Sequence, residues 1–252
     1  MSAVLAPRAA GLSGDDLLRL WEVGAAQHPL DRALTILAAV EPDQLRRDLA
    51  RLPSGRRDAR LLAVYARTFG THLAGQGRCP KCQGRVEFSL DARDLLSVSA
   101  DEVEEAPLEV ASEGFRVTYR LPDSFDLAEI AYLSDVAEAR RRLLERCILQ
   151  ATRDGAEVAL DQVPDGVVVQ VTEQMATHDP LAEIELALAC PTCGHQWQLI
   201  FDITFFLWLK IETQARRLLR EVHTLARAYG WRESDILALS PGRRQAYLEM
   251  VS

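Results

Sequence analysis

Lysine is nearly missing from this 252-residue chain: Lys81 and Lys210 are the only two, and arginine supplies the other 27 of its 29 basic side chains. Arginine suits bidentate pairing with carboxylates. The net charge is −8 and the isoelectric point about 5.2. Both argue against non-specific binding to nucleic acid or to an anionic membrane. Long apolar runs are absent as well. The strongest, Ile203 to Leu209, is too short to span a bilayer and is closed by Lys210 and Glu212. The N-terminal stretch lacks the positively charged start of a secretory signal. The expectation is a soluble protein, cytoplasmic where it is made.

The chain also lacks the common signatures of catalysis. It has no GxxxxGK[ST] phosphate loop, no glycine-rich dinucleotide loop, no HExxH and no GxSxG. His28, His72, His178 and His223 stand singly and read as surface or capping residues. The acidic residues are spread over polar faces or gathered at 101–105, where a solvated loop is the simpler reading. Nothing supports an enzyme or a small-molecule substrate.

Five cysteines are present, and four of them form two copies of one motif: Cys79-Pro80-Lys81-Cys82 and Cys190-Pro191-Thr192-Cys193. Each is closely followed by a glycine, Gly84 or Gly194. A Cys-x-x-Cys turn places two thiolates on one edge of a tetrahedron, so two such hooks can close around one Zn²⁺. Four thiolates leave no open coordination position, which makes such a site structural. The glycines are expected to supply the backbone conformation that turns N–H groups toward the sulfurs. An unligated thiol cluster is one alternative, and redox CxxC or disulfide pairs are the other. The latter are disfavoured because two matched pairs occur and neither opens a strand–helix unit. His195 reads as a strand residue or a supporting partner of the site, and Cys147, at helical spacing among leucines, as a core thiol.

The pattern along the chain predicts an α+β protein. Residues 1–72 read as an N-terminal helical region, with a flexible start at 1–10, a Ser13-capped helix, a helix opened by Pro29, a third at 43–51, a turn at Pro53-Ser54-Gly55 and a helix over 57–69. Residues 73–98 carry the first hook and a strand at 85–90. The segment 99–180 is expected to be an inserted subdomain: an acidic loop at 99–109, a strand at 115–120, helices over 124–151 and a helix over 164–177. Residues 181–203 hold the second hook between strands at 181–189 and 195–202. Those three strands are expected to form one small zinc-ribbon sheet. Residues 204–252 read as a long helix capped by Thr204 and ended by Gly230, then two short helices. Between Cys82 and Cys190 lie 107 residues, so a metal would staple the base of the insertion. Phe205, Phe206 and Trp208 read as core, Tyr229 and Trp231 as a cover for the helix end. Arg243, Arg244, Tyr247 and Met250 form either a docking face or a packed cap.

Both ends of the chain resemble a known family. At the start stand Leu20-Trp21-Glu22, His28-Pro29-Leu30-Asp31-Arg32-Ala33-Leu34, Leu52-Pro53, Gly55-Arg56-Arg57-Asp58-Ala59 and Phe69-Gly70 before the first hook. At the end stand Cys190-Pro191 with Cys193-Gly194-His195, Phe201-Asp202-Ile203, Leu207-Trp208, Glu221-Val222-His223, Tyr229-Gly230-Trp231 and Ile236 to Ser240. Leu121-Pro122 and Arg146-Cys147 fit in the middle. The sequence thus resembles small baseplate proteins of contractile phage tails, T-even-like ones included, and of extracellular contractile injection systems. The resemblance implies a non-enzymatic structural or assembly role, hub or chaperone, with protein partners in a baseplate or tail-assembly complex and possible residence in the finished particle. Two other function classes are a zinc-ribbon adaptor of transcription or translation and, more weakly, a thiol oxidoreductase. Sheath, tube and spike genes alongside would favour the baseplate. Loss of activity without loss of folding in a single Cys-to-Ser variant would favour the oxidoreductase.

Overall fold

The computed structural model describes residues 11–98 and 107–251. The expected flexible start at 1–10 and the acidic run at 101–105 lie outside the described residues. The chain begins with four helices, α1 (Gly14–Gly24), α2 (Pro29–Val40), α3 (Arg46–Ala50) and α4 (Ser54–Phe69). Their starts follow from local chemistry. Ser13 and Asp16 form a reciprocal capping box on α1, and His28 caps α2 ahead of the proline at its first position. The predicted turn at 53–55 is instead the first turn of α4. Pro53 offers no capping side chain, and the partner that replaces it comes from far along the chain.

A hairpin follows, β1 (His72–Arg78) paired antiparallel with β2 (Arg85–Asp91), then the short helix α5 (Ala92–Val98). Sequence reading misses β1 because Gly75 and Gly77 interrupt its alternation and carry no strand propensity. The glycine at 75 is needed: a Cβ there would stand 2.3 Å from the ring of Phe88.

The middle segment holds β3 (Leu108–Ser112), β4 (Phe115–Tyr119), α6 (Ser124–Ile130), α7 (Val136–Cys147), β5 (Ile148–Arg153), β6 (Ala156–Glu157), a 3₁₀ turn at Leu160–Gln162 and α8 (Asp165–His178). The strands form an antiparallel sheet in the order β3-β4-β5-β6. Helix α8 covers it, and Val117, Tyr119, Val167 and Val171 are fully buried between them. Two expectations change here. The helical reading ends at Cys147, because residues 148–153 pair with β4. Leu108–Ser112, whose first two residues fall in the expected loop at 99–109, is an edge strand of the same sheet. The helix over 165–178 forms despite its valine run, since Val167 and Val171 fill the face against the sheet with Val168 beside them, while Val169 stays exposed.

A second hairpin, β7 (Ile184–Ala189) with β8 (Gln196–Phe201), leads into the 27-residue α9 (Ile203–Tyr229), then α10 (Glu233–Leu237) and α11 (Pro241–Val251). Asp202, not Thr204, caps α9 by accepting from the Phe205 N–H; Thr204 is buried. Gly230 ends the helix at φ 69°. The three expected strands do not make one sheet. The two hairpins are separate two-stranded ribbons, each carrying one cysteine hook at its tip.

The main core gathers α1, α2, α4 and α9 with the feet of both hairpins, through Ile36, Leu37, Leu61, Leu62, Leu73, Leu207 and Ile211, all fully buried. Trp208 lies between Gly24, where a Cβ would meet its ring at 2.4 Å, and the Arg32 guanidinium 4.4 Å from its centroid. Phe206 packs on the core edge, while Phe205 is exposed. At the far end Tyr229 stacks on Trp231 at 4.6 Å, and Tyr247 packs edge-on to both. Arg244 is buried and pairs with Glu221 on α9 at 2.7 Å. The C-terminal helix is therefore a packed cap, with Arg243 and Met250 left at the surface.

Candidate metal centre

The two hooks meet tip to tip. The sulfurs of Cys79, Cys82, Cys190 and Cys193 all lie within 4.8 Å of one another. The closest approaches run between hooks: Cys79 Sγ to Cys193 Sγ and Cys82 Sγ to Cys190 Sγ, both 3.6 Å. A metal about 2.3 Å from each sulfur of a tetrahedron sets the sulfurs about 3.8 Å apart. The spacing fits that arrangement and is far longer than a disulfide bond of about 2.05 Å. Cys79 and Cys190 are buried against Val86 and Trp197, while Cys82 is exposed. Cys147 stands apart, fully buried beside Asp126, and burial pushes its thiol up to about 12. It is a core thiol, inert at neutral pH.

Backbone hydrogen bonds show why each hook has its shape. In the first, Cys79 N donates to Gly84 O at 2.9 Å and Gln83 N to Cys79 O at 2.9 Å. In the second, Cys190 N donates to His195 O at 2.8 Å and Gly194 N to Cys190 O at 2.9 Å. The hooks are therefore equivalent in the order 79–84 and 190–195. This register corrects the expectation for the glycines. The left-handed position is filled by Gln83, φ 60°, in one hook and by Gly194, φ 68°, in the other. Gly84 serves another purpose. A Cβ on it would stand 3.2 Å from Cys82 Sγ and 3.8 Å from Cys190 Sγ, so a side chain would crowd the sulfurs. His195 is not among the clustered ligand atoms; its ring stacks on Trp197 with 6.1 Å between centroids.

The hook amides favour thiolate. Burial opposes charge on Cys190, but the N–H groups of Cys193 and Thr192 and the Cys82 thiol hold it down to about 6. At Cys82 the Gly84 N–H pulls down, yet the neighbouring thiols of Cys193, Cys190 and Cys79 win and push it up to about 12. Such a set gives up its remaining protons to a cation that shares the sulfurs. Arg78 and Arg85, directly opposed across the hairpin, and Lys81 on the hook itself place three exposed cations at this tip.

A second junction lies at the N-terminus of α4, and the sequence gives only an indirect sign of it. Asp179, from just past α8, accepts from Gly55 N–H at 2.8 Å and from Ser54 Oγ at 3.5 Å, supplying the cap that Pro53 cannot. Ser54 N donates to Pro122 O at 2.9 Å, and Arg57, which pairs with Asp58 at 2.7 Å, reaches Ser124 Oγ at 3.1 Å. Burial raises the Asp58 carboxyl against the pull of Arg57, and Asp202 and Asp179 add to the rise, to about 6. Nearby, burial acts to raise Asp126, but bonds from Arg120 at 2.9 Å and Arg146 at 2.8 Å help hold it at about 2. The Gly-Arg-Arg-Asp run and the Arg146-Cys147 pair noted in the sequence thus belong to buried ion networks that fasten the middle segment to the helices.

With this geometry in view, one comparison decides the family. The family described as T4 bacteriophage base plate protein matches residues 33–208, which include both hooks and the α4 junction. The chain belongs to the T4-type phage baseplate family. No curated protein and no solved structure matches it. Among the described residues no helix is long and apolar enough to cross a membrane. The histidines of this baseplate protein are spread out: His28 caps α2, His178 bonds the Gln174 carbonyl at 2.7 Å, and His72 and His223 are exposed.

Proposed function

We propose that this chain is a non-enzymatic structural or assembly component of the baseplate of a contractile tail or injection system, held in shape by one structural Zn²⁺ on Cys79, Cys82, Cys190 and Cys193. The observation that carries the reading is the convergence of four sulfurs from hooks with 107 residues between them, inside the family match. Zinc is the metal favoured by four thiolates in tetrahedral array, and a closed set leaves no place for substrate. Arg78 and Lys81 at the tip offset part of the net negative charge such a centre carries, while Arg85 also faces Glu87 at 3.6 Å. On this reading residues 73–98 and 181–203 are the two knuckles, and 99–180 is an insertion carried on them. Residues 1–72 and 204–252 are the helical ends that meet protein partners in the tail complex.

Two measurements test this. Purified protein should contain about one zinc per chain. Cys79→Ser should lose the metal and lower the melting temperature by at least about 10 °C, since site binding is folding free energy. Cys147→Ser should keep the metal. Deletion of the gene should abolish complete sheathed particles in electron micrographs; intact particles in the deletion strain reject the baseplate role, whatever the metal result.

A further inference from the structure

Where α2 and α3 face α6, a pocket of about 360 Å³ opens to the surface, distinct from the cysteine cluster. Its walls are apolar: Leu34 and Ala50 are buried at its back, and Phe125 and Ala128 line the opposite side. On its lip Tyr132 is 84% exposed, its ring 6.1 Å from that of His28. A Tyr and a Phe left this exposed beside an apolar recess are the composition of an interface anchor point. The volume lies at the lower end of the range of about 300–1,000 Å³ for ligand pockets and suits one large side chain.

The rim is charged, and its balance is positive in a protein of net charge −8. Arg46 and Arg47 stand against Asp31. Arg46 is committed, bonding Asp31 Oδ1 at 2.8 Å and Thr35 Oγ1 at 3.0 Å. The exposed Arg47 guanidinium has no partner among the described residues. One free cation thus sits beside an apolar recess of side-chain size.

We infer that this pocket is a docking site for a partner protein segment that seats one large apolar side chain in the recess and sets a carboxylate beside it against Arg47. The inference rests on the reading that the chain works through protein partners, but not on the metal, because α2, α3 and α6 build the pocket without the hooks. The apolar side chain supplies affinity by leaving water. The carboxylate supplies register, since an exposed pair contributes little energy but penalises a mismatched neighbour.

The test uses the full-length, metal-loaded protein, labelled for amide NMR, and two blocked tripeptides, acetyl-Leu-Phe-Glu-amide and acetyl-Leu-Phe-Gln-amide. The Glu peptide should shift the amides of Leu34, Ala50 and Phe125 with millimolar affinity and bind about three-fold more tightly than the Gln peptide at low salt. Arg47→Ala should erase that difference while leaving Gln-peptide binding in place. Ala128→Trp, a substitution at an exposed wall position, should block both peptides. Absence of shifts at these amides, equal binding of the two peptides, or a preference that survives Arg47→Ala overturns the proposal. So does a dimer in sedimentation that Tyr132→Asp dissolves, because the occupant is then a second copy of this chain. A missing metal would refute the zinc reading and leave these outcomes as they are.

Discussion

Gln83 and Gly194 occupy the same place in the two hooks, and they carry opposite costs. A left-handed backbone costs a side-chain-bearing residue about 1–2 kcal/mol, and glycine almost none. Gln83→Gly should therefore raise stability by about 0.5–1 kcal/mol, less than the full strain because glycine also loosens the unfolded chain. Gly194→Ala should lower it by about 1 kcal/mol, with both read from thermal unfolding of the metal-loaded protein. A destabilised Gln83→Gly or a stabilised Gly194→Ala would mean that these two positions do not share the left-handed backbone. A second residue-scale prediction concerns pH. Asp58 is mostly but not fully buried, 14% exposed, beside Arg57 and near Asp179 and Asp202, and its carboxyl rises from 3.8 to about 6. The native state then holds this proton more tightly than the unfolded chain does. The contribution of Asp58 to stability is greatest below pH 4 and falls as pH rises to about 6, by at most about 3 kcal/mol. Asp126, held at about 2, acts in the opposite sense, with stability lost only as pH falls below 4. Urea midpoints at pH 4.5 and 6.5 should therefore differ less in Asp58→Asn than in the parent; an unchanged difference would refute the assignment.

Among the elements, α4 holds the molecule together as firmly as the hooks do. Its first turn receives two segments, residues 122–124 and Asp179 with Ala182, beside its own Arg57–Asp58 pair. Gly55 makes this possible, because a Cβ there would stand 2.3 Å from Asp179 Oδ1 and 2.5 Å from Ala182 N. Gly55→Ala, although it raises intrinsic helix propensity, should cost about 1–3 kcal/mol by overpacking a buried junction. The check is the denaturant midpoint at constant slope. A stabilised variant would mean that Asp179 does not cap this helix. The C-terminal elements follow the same logic. Arg244 on α11 meets Glu221 on α9, which Arg217 also holds at 2.7 Å, so the final helix is fastened by a buried charge pair rather than left for a partner.

At the scale of the whole molecule, two fastenings close the same loop of chain. The hooks join residues 79–82 to 190–193, and the α4 junction joins 54–57 to 122–124 and 179. Between them the middle sheet and α8 keep a separate apolar cluster. Removal of metal by a strong chelator should therefore act unevenly. Amides of β1, β2, β7 and β8 should lose hydrogen-exchange protection by about tenfold or more, while those of β4, β5 and α8 keep theirs. Uniform loss would make the hooks the sole organiser of the chain; no loss would mean that the four sulfurs hold no stabilising ion. Partner surfaces fit this division, since the apolar pocket lies on the helices that the α4 junction fixes.

Some of this was legible in residue types and spacing alone. Two Cys-Pro-x-Cys hooks pointed to the four cysteines whose sulfurs converge, because few other uses suit paired thiols followed by strands. Ser13, Pro29 and Gly230 mark helix ends by chemistry confined to a few residues. The family resemblance rested on short runs that need no folding to be seen. Tertiary structure decided the rest, for reasons that act across long distances in sequence. Whether residues 148–153 form helix or strand depended on β4 offering an edge. β1 formed despite Gly75 and Gly77 because Phe88 covers one and Asp91 to Arg85 pair along its length. The hooks turned out to be the tips of two ribbons rather than one sheet, and Asp179 became a helix cap 124 residues from the Gly55 amide it accepts from. Local sequence sets turns, caps and ligand chemistry. Which buried charge meets which, and which aromatic rings remain uncovered, is set only when the chain closes on itself.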